Sequence, residues 1–191
     1  MSTKRKKTRD QLTGFVAECL VQAYAILGSA GKLDAFRPGT DVDHKDIIFD
    51  LIGGFKSAYL QVKCATYLQQ GIRVQCFARY LPNEIPSDPR FVYVFCLLDR
   101  QKMELSRIWL VPSPDFNRLA YRSPYLGGRK IGLIFSARAS GDPKWDKYEV
   151  TKETLGLRLL EIATAAPKRK ALKGVNLGSA LVVRARLDVA A

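Results

Sequence analysis

Apolar residues recur at helical spacing from Asp10 to Leu27, at Leu12, Phe15, Val16, Cys19, Leu20, Ala23, Ile26 and Leu27, and Gly28 ends the run. This spacing predicts a helix that buries that stripe. Ala17, Val21 and Ala25 lie on the opposite side, so only Gln11, Glu18 and Gln22 form a narrow hydrophilic seam. A helix apolar almost all round is buried, and such a seam faces either a strip of solvent or a polar cleft.

After the Gly/Pro/Asp-rich connection "GKLDAFRPGTDVDHKD" the pattern changes to period two. "DIIFDLI", Asp46 to Ile52, reads as a strand closed by Gly53 and Gly54, and "AYLQVKCA", Ala58 to Ala65, returns as its hairpin partner. Alternation sends Tyr59, Gln61, Lys63 and Ala65 to one face and Leu60, Val62 and Cys64 to the other. If the turn centres between Gly54 and Phe55, Asp46 lies across from Lys63 and Ile48 across from Gln61, so that Asp46, Gln61 and Lys63 share a face.

Further strands are expected at "IRVQCFARYL", "RFVYVFCLLD", "SRIWLVP" and "RKIGLIFSA". Between the last two, "SPDFNRLAYRSPYLGGRK" interleaves Arg118, Tyr121, Arg122, Tyr125, Arg129 and Lys130, a mixture that first suits a loop whose aromatics cover a sheet edge and also suits nucleic acid. "VTKETLGLRLLEIAT" reads as a closing helix with Thr151 as N-cap. The order implies an α/β (α+β) fold with a central mixed sheet flanked by helices. Residues 1–10 read as a basic arm, 11–166 as the folded domain, and 167–191 as a basic tail.

The formal net charge of +13 on 191 residues is concentrated at the ends. Residues 1–10 carry five Lys or Arg against Asp10, and residues 167–191 carry six against Asp188. Basic ends suit a polyanion, because neutralising phosphates releases counterions, and they also serve solubility. No apolar run is expected to span a membrane, and no signal-peptide pattern follows "STKRKKTR". Cys19, Cys64, Cys76 and Cys96 sit singly in apolar stretches with no CxxC pair, and read as reduced core residues of a cytoplasmic protein. One histidine, His44, with no GxSxG or Cys–His pairing, argues against nucleophilic hydrolase chemistry.

Glu18 on a helix, Asp46 opening a strand, and Gln61-x-Lys63 on its partner form an ordered set of oxygen donors beside an ammonium. Carboxylates and an amide carbonyl suit Mg²⁺, with Mn²⁺ as substitute. In "GFVAE", "DHKDIIFDL" and "YLQVKCA" the chain resembles the PD-(D/E)xK nuclease superfamily, in the branch with Gln before x-Lys that includes Mrr-like restriction endonucleases. The resemblance implies a restriction-endonuclease-like core and Mg²⁺-dependent hydrolysis of DNA by an endonuclease. It further implies Glu18, Asp46 and Gln61 as metal ligands and Lys63 as the catalytic lysine. Asp43 and Asp50 remain alternatives to Asp46. DNA is the implied partner, with no small-molecule cofactor and no membrane, and cutting both strands would imply a homodimer by analogy. Two other readings stand beside this one: a non-catalytic nucleic-acid-binding module, and an inactive nuclease fold in a larger complex.

Overall fold

The computed structural model describes residues 3–39 and 44–165. Helix α1 (Thr3–Gly28) is followed by strands β1 (Leu33–Phe36), β2 (Ile47–Leu51), β3 (Ser57–Ala65), β4 (Arg73–Tyr80), β5 (Phe91–Asp99) and β6 (Glu104–Pro112). Then come a short helix α2 (Ser113–Leu119), β7 (Tyr121–Tyr125), β8 (Lys130–Arg138), the two-residue β9 (Glu149–Val150) and helix α3 (Leu155–Ala165).

Six strands form a mixed sheet in the order β1-β2-β3-β5-β6-β9, in which β3 and β5 run parallel and the other neighbours antiparallel. This is the expected central mixed sheet with helices packed on it. Strand β5 is buried on both faces, and its alternation divides the interior. Val92, Val94 and Cys96 face α1 and α3, whereas Phe91, Tyr93 and Phe95 face a second, three-stranded sheet in the order β4-β8-β7. The sequence pattern does not separate the two sheets. Its strand β4 alternates in the half-buried manner of a sheet with one wet side, with Val74, Cys76, Ala78 and Tyr80 inward and Phe77 and Arg79 outward, whereas β7 at the edge is exposed along most of its length.

The most buried line of α1 is one expected on its opposite side, although Leu20 and Ile26 of the expected stripe pack partly buried against the core. Ala17, Val21 and Ala25 are fully buried, while Leu12, Phe15, Val16, Cys19 and Leu27 are exposed. Close approach of backbones explains the difference. A Cβ on Gly28 would stand 3.0 Å from Glu153 O and Gly156 N, so α1 and the start of α3 meet through small residues, and only the Ala/Val line fits. By length and composition Asp10–Gly28 does reach what a membrane span requires, contrary to expectation, yet here its small-residue line is packed in the domain core.

Three further expectations need correcting. The connection "GKLDAFRPGTDVDHKD" contains β1, an edge strand too short and polar to show periodicity. Thr151 does make the bonds of a cap, its Oγ1 accepting from Thr154 N (3.3 Å) and its carbonyl from Leu155 N (3.0 Å), but around a turn that precedes α3, which starts at Leu155. The hairpin pairs Ile47 with Leu60 and Ile48 with Tyr59, two residues away from the expected register. Leu51 N donates to Lys56 O and Gly54 N to Leu51 O, so the turn centres on Gly53-Gly54, with Gly53 at φ +77°. Because the slip is even, no side chain changes face.

Candidate active site

Asp46 stands immediately before β2. Its N–H donates to Leu60 O (2.8 Å), and its Oδ2 accepts from Val62 N–H (2.6 Å), so one short connection stitches the residue to β3 at both backbone and side chain. The same Oδ2 lies 3.9 Å from Lys63 Nζ, both side chains being partly exposed. The backbone under Lys63 is fixed as well: its carbonyl accepts from the thiols of Cys76 (3.4 Å) and Cys96 (3.8 Å). Cys64 lies opposite Cys96 across the parallel β3–β5 pair. Cys64, Cys76 and Cys96, from three strands, thus come together around Lys63, with Cys76 and Cys96 buried in the core as expected, whereas Cys19 is exposed on α1; all four are free thiols.

Glu18 reaches this group from α1. Burial raises its carboxyl above the ordinary value and the Asp46 carboxylate adds to the rise, while Arg37 and Lys63 pull it down. The two carboxylates and the ammonium are therefore within electrostatic reach of one another. Arg37 Nη1 lies 3.3 Å from Glu18 Oε2, its Nη2 donates to Cys19 Sγ (3.3 Å), and its guanidinium rests 4.6 Å over the Phe15 ring. Arg37 escapes a reading of the sequence because it follows a four-residue edge strand inside a Gly/Pro-rich connection, where one charge carries no pattern.

Gln61 is 5% exposed and points into the second core, where its Oε1 accepts from Tyr80 O–H. Tyr80 in turn accepts from Tyr93 O–H (2.7 Å). Burial raises the Tyr80 and Tyr93 hydroxyls well above their ordinary range, so both remain proton donors at any physiological pH. The His44 ring meets Tyr80 edge-on at 4.9 Å. This ladder explains the polar groups in a buried strand: the amide is satisfied, and it ties β3 to β4 and β5. The signal for Tyr80 is its inward position in "FARYL", an aromatic with a polar tip that needs a partner.

Asp50 pairs with Ser57, six residues along β3 from Lys63, on the order of 20 Å at strand spacing, so it cannot join the cluster. Asp43 lies outside the described residues. Among the described residues no three His, Cys, Asp or Glu side chains gather as a metal-holding group. Of the expected nucleic-acid contacts, Arg118 pairs with Asp115 (2.8 Å) and Arg122 Nη2 donates to Asn117 O (3.3 Å). Tyr121 lies on β7, Arg129 in the turn after it, and Lys130 opens β8 opposite Tyr125. The segment is thus a short helix and a hairpin rather than a loop.

No family model and no curated protein matches this chain. Among solved structures it is similar to a bacterial homing endonuclease, I-Ssp6803I, at 17% identity and a TM-score of 0.45, over 78% of this chain and 92% of the other.

Proposed function

We infer that the protein is a divalent-metal-dependent phosphodiesterase acting on DNA, with residues 11–166 as the nuclease-like unit and the basic ends as accessory binding segments. The observation that carries this reading is the Lys63 ammonium 3.9 Å from the Asp46 carboxylate at a partly exposed position, with the Glu18 carboxyl near enough for the Asp46 charge to help raise it. The resemblance of "DHKDIIFDL" and "YLQVKCA" to the QxK nucleases supplies the substrate class, and the free thiols fit a reducing, cytoplasmic setting.

The donors present fit Mg²⁺, which keeps several of its own waters and is commonly held by one or two carboxylates plus substrate phosphate. Glu18 and Asp46 would hold it. Gln61 points into the second core, and its carbonyl, which has two lone pairs, carries one Tyr80 hydrogen bond, so it would add at most one further acceptor position. The ion would polarise the scissile phosphate and lower the pKa of a bound water. Lys63 places a fixed positive charge where charge builds on the phosphate in the transition state, and Asp46 holds that ammonium in place. Arg37 partly offsets the two carboxylates and steadies Glu18 while no ion is bound.

Three variants test the reading by nicking of supercoiled plasmid and by metal calorimetry. Lys63→Ala loses cleavage by on the order of 100- to 1,000-fold with little change in DNA affinity, since one phosphate contact is a small share of binding. Asp46→Asn loses metal and cleavage together. Gln61→Glu restores the acidic pattern common in the superfamily, and keeps or tightens metal binding while retaining some cleavage. A wild type that neither binds Mg²⁺ or Mn²⁺ nor nicks DNA, with Lys63→Ala losing DNA affinity, makes the site a non-catalytic phosphate-binding surface instead.

A further inference from the structure

The outward face of the three-stranded sheet presents aromatic rings and cations in register. Cross-strand pairing sets Phe77, Ile134 and Tyr121 in one row, then Arg79, Gly132 and Ser123, then Lys130 and Tyr125. Phe77, Tyr121 and Tyr125 are 45%, 56% and 40% exposed, which is unusual for three rings on one face. The register places Arg73, Arg79, Lys130 and Arg138 on this face and no Asp or Glu of these strands, Arg73 being paired with Asp142 at 3.3 Å. The Arg79 guanidinium lies 4.5 Å over Tyr125 and 5.9 Å from Phe77, and Lys144 Nζ lies 4.1 Å over Tyr121.

We propose that this face is a stacking platform for single-stranded nucleic acid, separate from the cluster around Lys63. Flat rings set among cations engage the π-faces of unpaired bases while the charges meet the backbone, an arrangement that tolerates any base sequence. Phe77 and Tyr121 are two strand spacings apart, about 10 Å, so each takes its own base. A duplex hides its π-faces inside the stack and gains only the charge. The platform also connects to the rest of the molecule: a cleft of about 530 Å³ runs beside it, lined by Phe77 and Gln75 of β4, Tyr67, Cys64 of β3, and Thr13 and Asp10 of α1. Helix α1, which lines this cleft with Asp10 and Thr13, also carries Glu18 further along its length.

The test uses the full chain in EDTA, so its outcome does not depend on the metal-dependent reading. Fluorescence anisotropy compares an oligothymidylate of about 16 nucleotides, an abasic oligomer of equal length and charge, and a duplex. The wild type binds the oligothymidylate more tightly than the abasic strand, and Phe77→Ala and Tyr121→Ala each remove about tenfold of that affinity while leaving abasic binding unchanged. Phe77→Trp keeps or raises it. Circular dichroism checks folding, which exposed rings should not govern. Equal affinity for the abasic strand, or alanine variants that lower thermal stability but not affinity, would overturn the proposal and reduce the rings and cations to an internal brace of the sheet face.

Discussion

At Glu18 the balance of forces is readable from its neighbours. Its carboxyl is raised by burial first and by the Asp46 charge second. The folded, metal-free protein therefore holds that proton more tightly than the unfolded chain, and stability falls as pH rises from the ordinary carboxylate value to the raised one. Asp46→Asn removes a raising charge, so Glu18 should titrate at lower pH and the pH-dependent loss of stability should shrink. Carboxyl-carbon NMR and urea melts across pH measure both, and an unmoved midpoint would place the carboxylates too far apart to share an ion. Added Mg²⁺ should lower the same midpoint in the wild type, because a bound cation stabilises the ionised form. Glu18, Asp46 and Lys63 are legible in the sequence because each sits at a recognisable place in a helix or hairpin pattern. Arg37 and Tyr80 are not, since the first depends on where an edge strand ends and the second on a core between two sheets.

The line Ala17, Val21, Ala25 decides how α1 sits, and its small size is the reason a hydrophobicity pattern puts it on the outer side. Hydrophobicity ranks Leu12, Phe15 and Val16 above alanine, but the fold selects for closeness, and only small residues let α1 reach Gly156. A side chain at that glycine has nowhere to go: a Cβ would overlap the backbone at Ser29 N, Ala25 O and Gly28 C. Gly156→Val should cost about 3 kcal/mol or more, measured by chemical denaturation, because backbone cannot yield as a flexible side chain can. Half-buried Gly14, with nothing within 4 Å of a Cβ, should instead accept alanine with a small gain from helix propensity. The hairpin teaches the converse. Its expected register is off by two residues because adjacent glycines leave the turn centre undetermined, yet period two keeps Asp46 and Gln61 on one face.

Across the whole molecule the positive charge falls outside the Lys63 cluster, in residues 1–10, in 167–191, and on the outer sheet face. The N-terminal part of this charge continues α1, which begins at Thr3, whereas 167–191 lies outside the described residues. Removing 167–191 should weaken DNA binding across sequences and flatten the dependence of log affinity on log salt, by about 0.9 for each phosphate no longer neutralised. Titrations at several salt concentrations measure the slope; an unchanged slope would assign that charge to solubility. The three layers themselves are held by pairings far apart in sequence. Glu18, Asp46 and Lys63 all fall within the first third of the chain, yet β3 needs β5 as its parallel neighbour and α1 needs α3 on its small-residue side. During synthesis, then, the acidic and basic groups emerge early but lack the layers that hold them. The cluster can therefore assemble only once β5 and α3 have followed it out of the ribosome, because those later elements pack against the strand and helix that carry it.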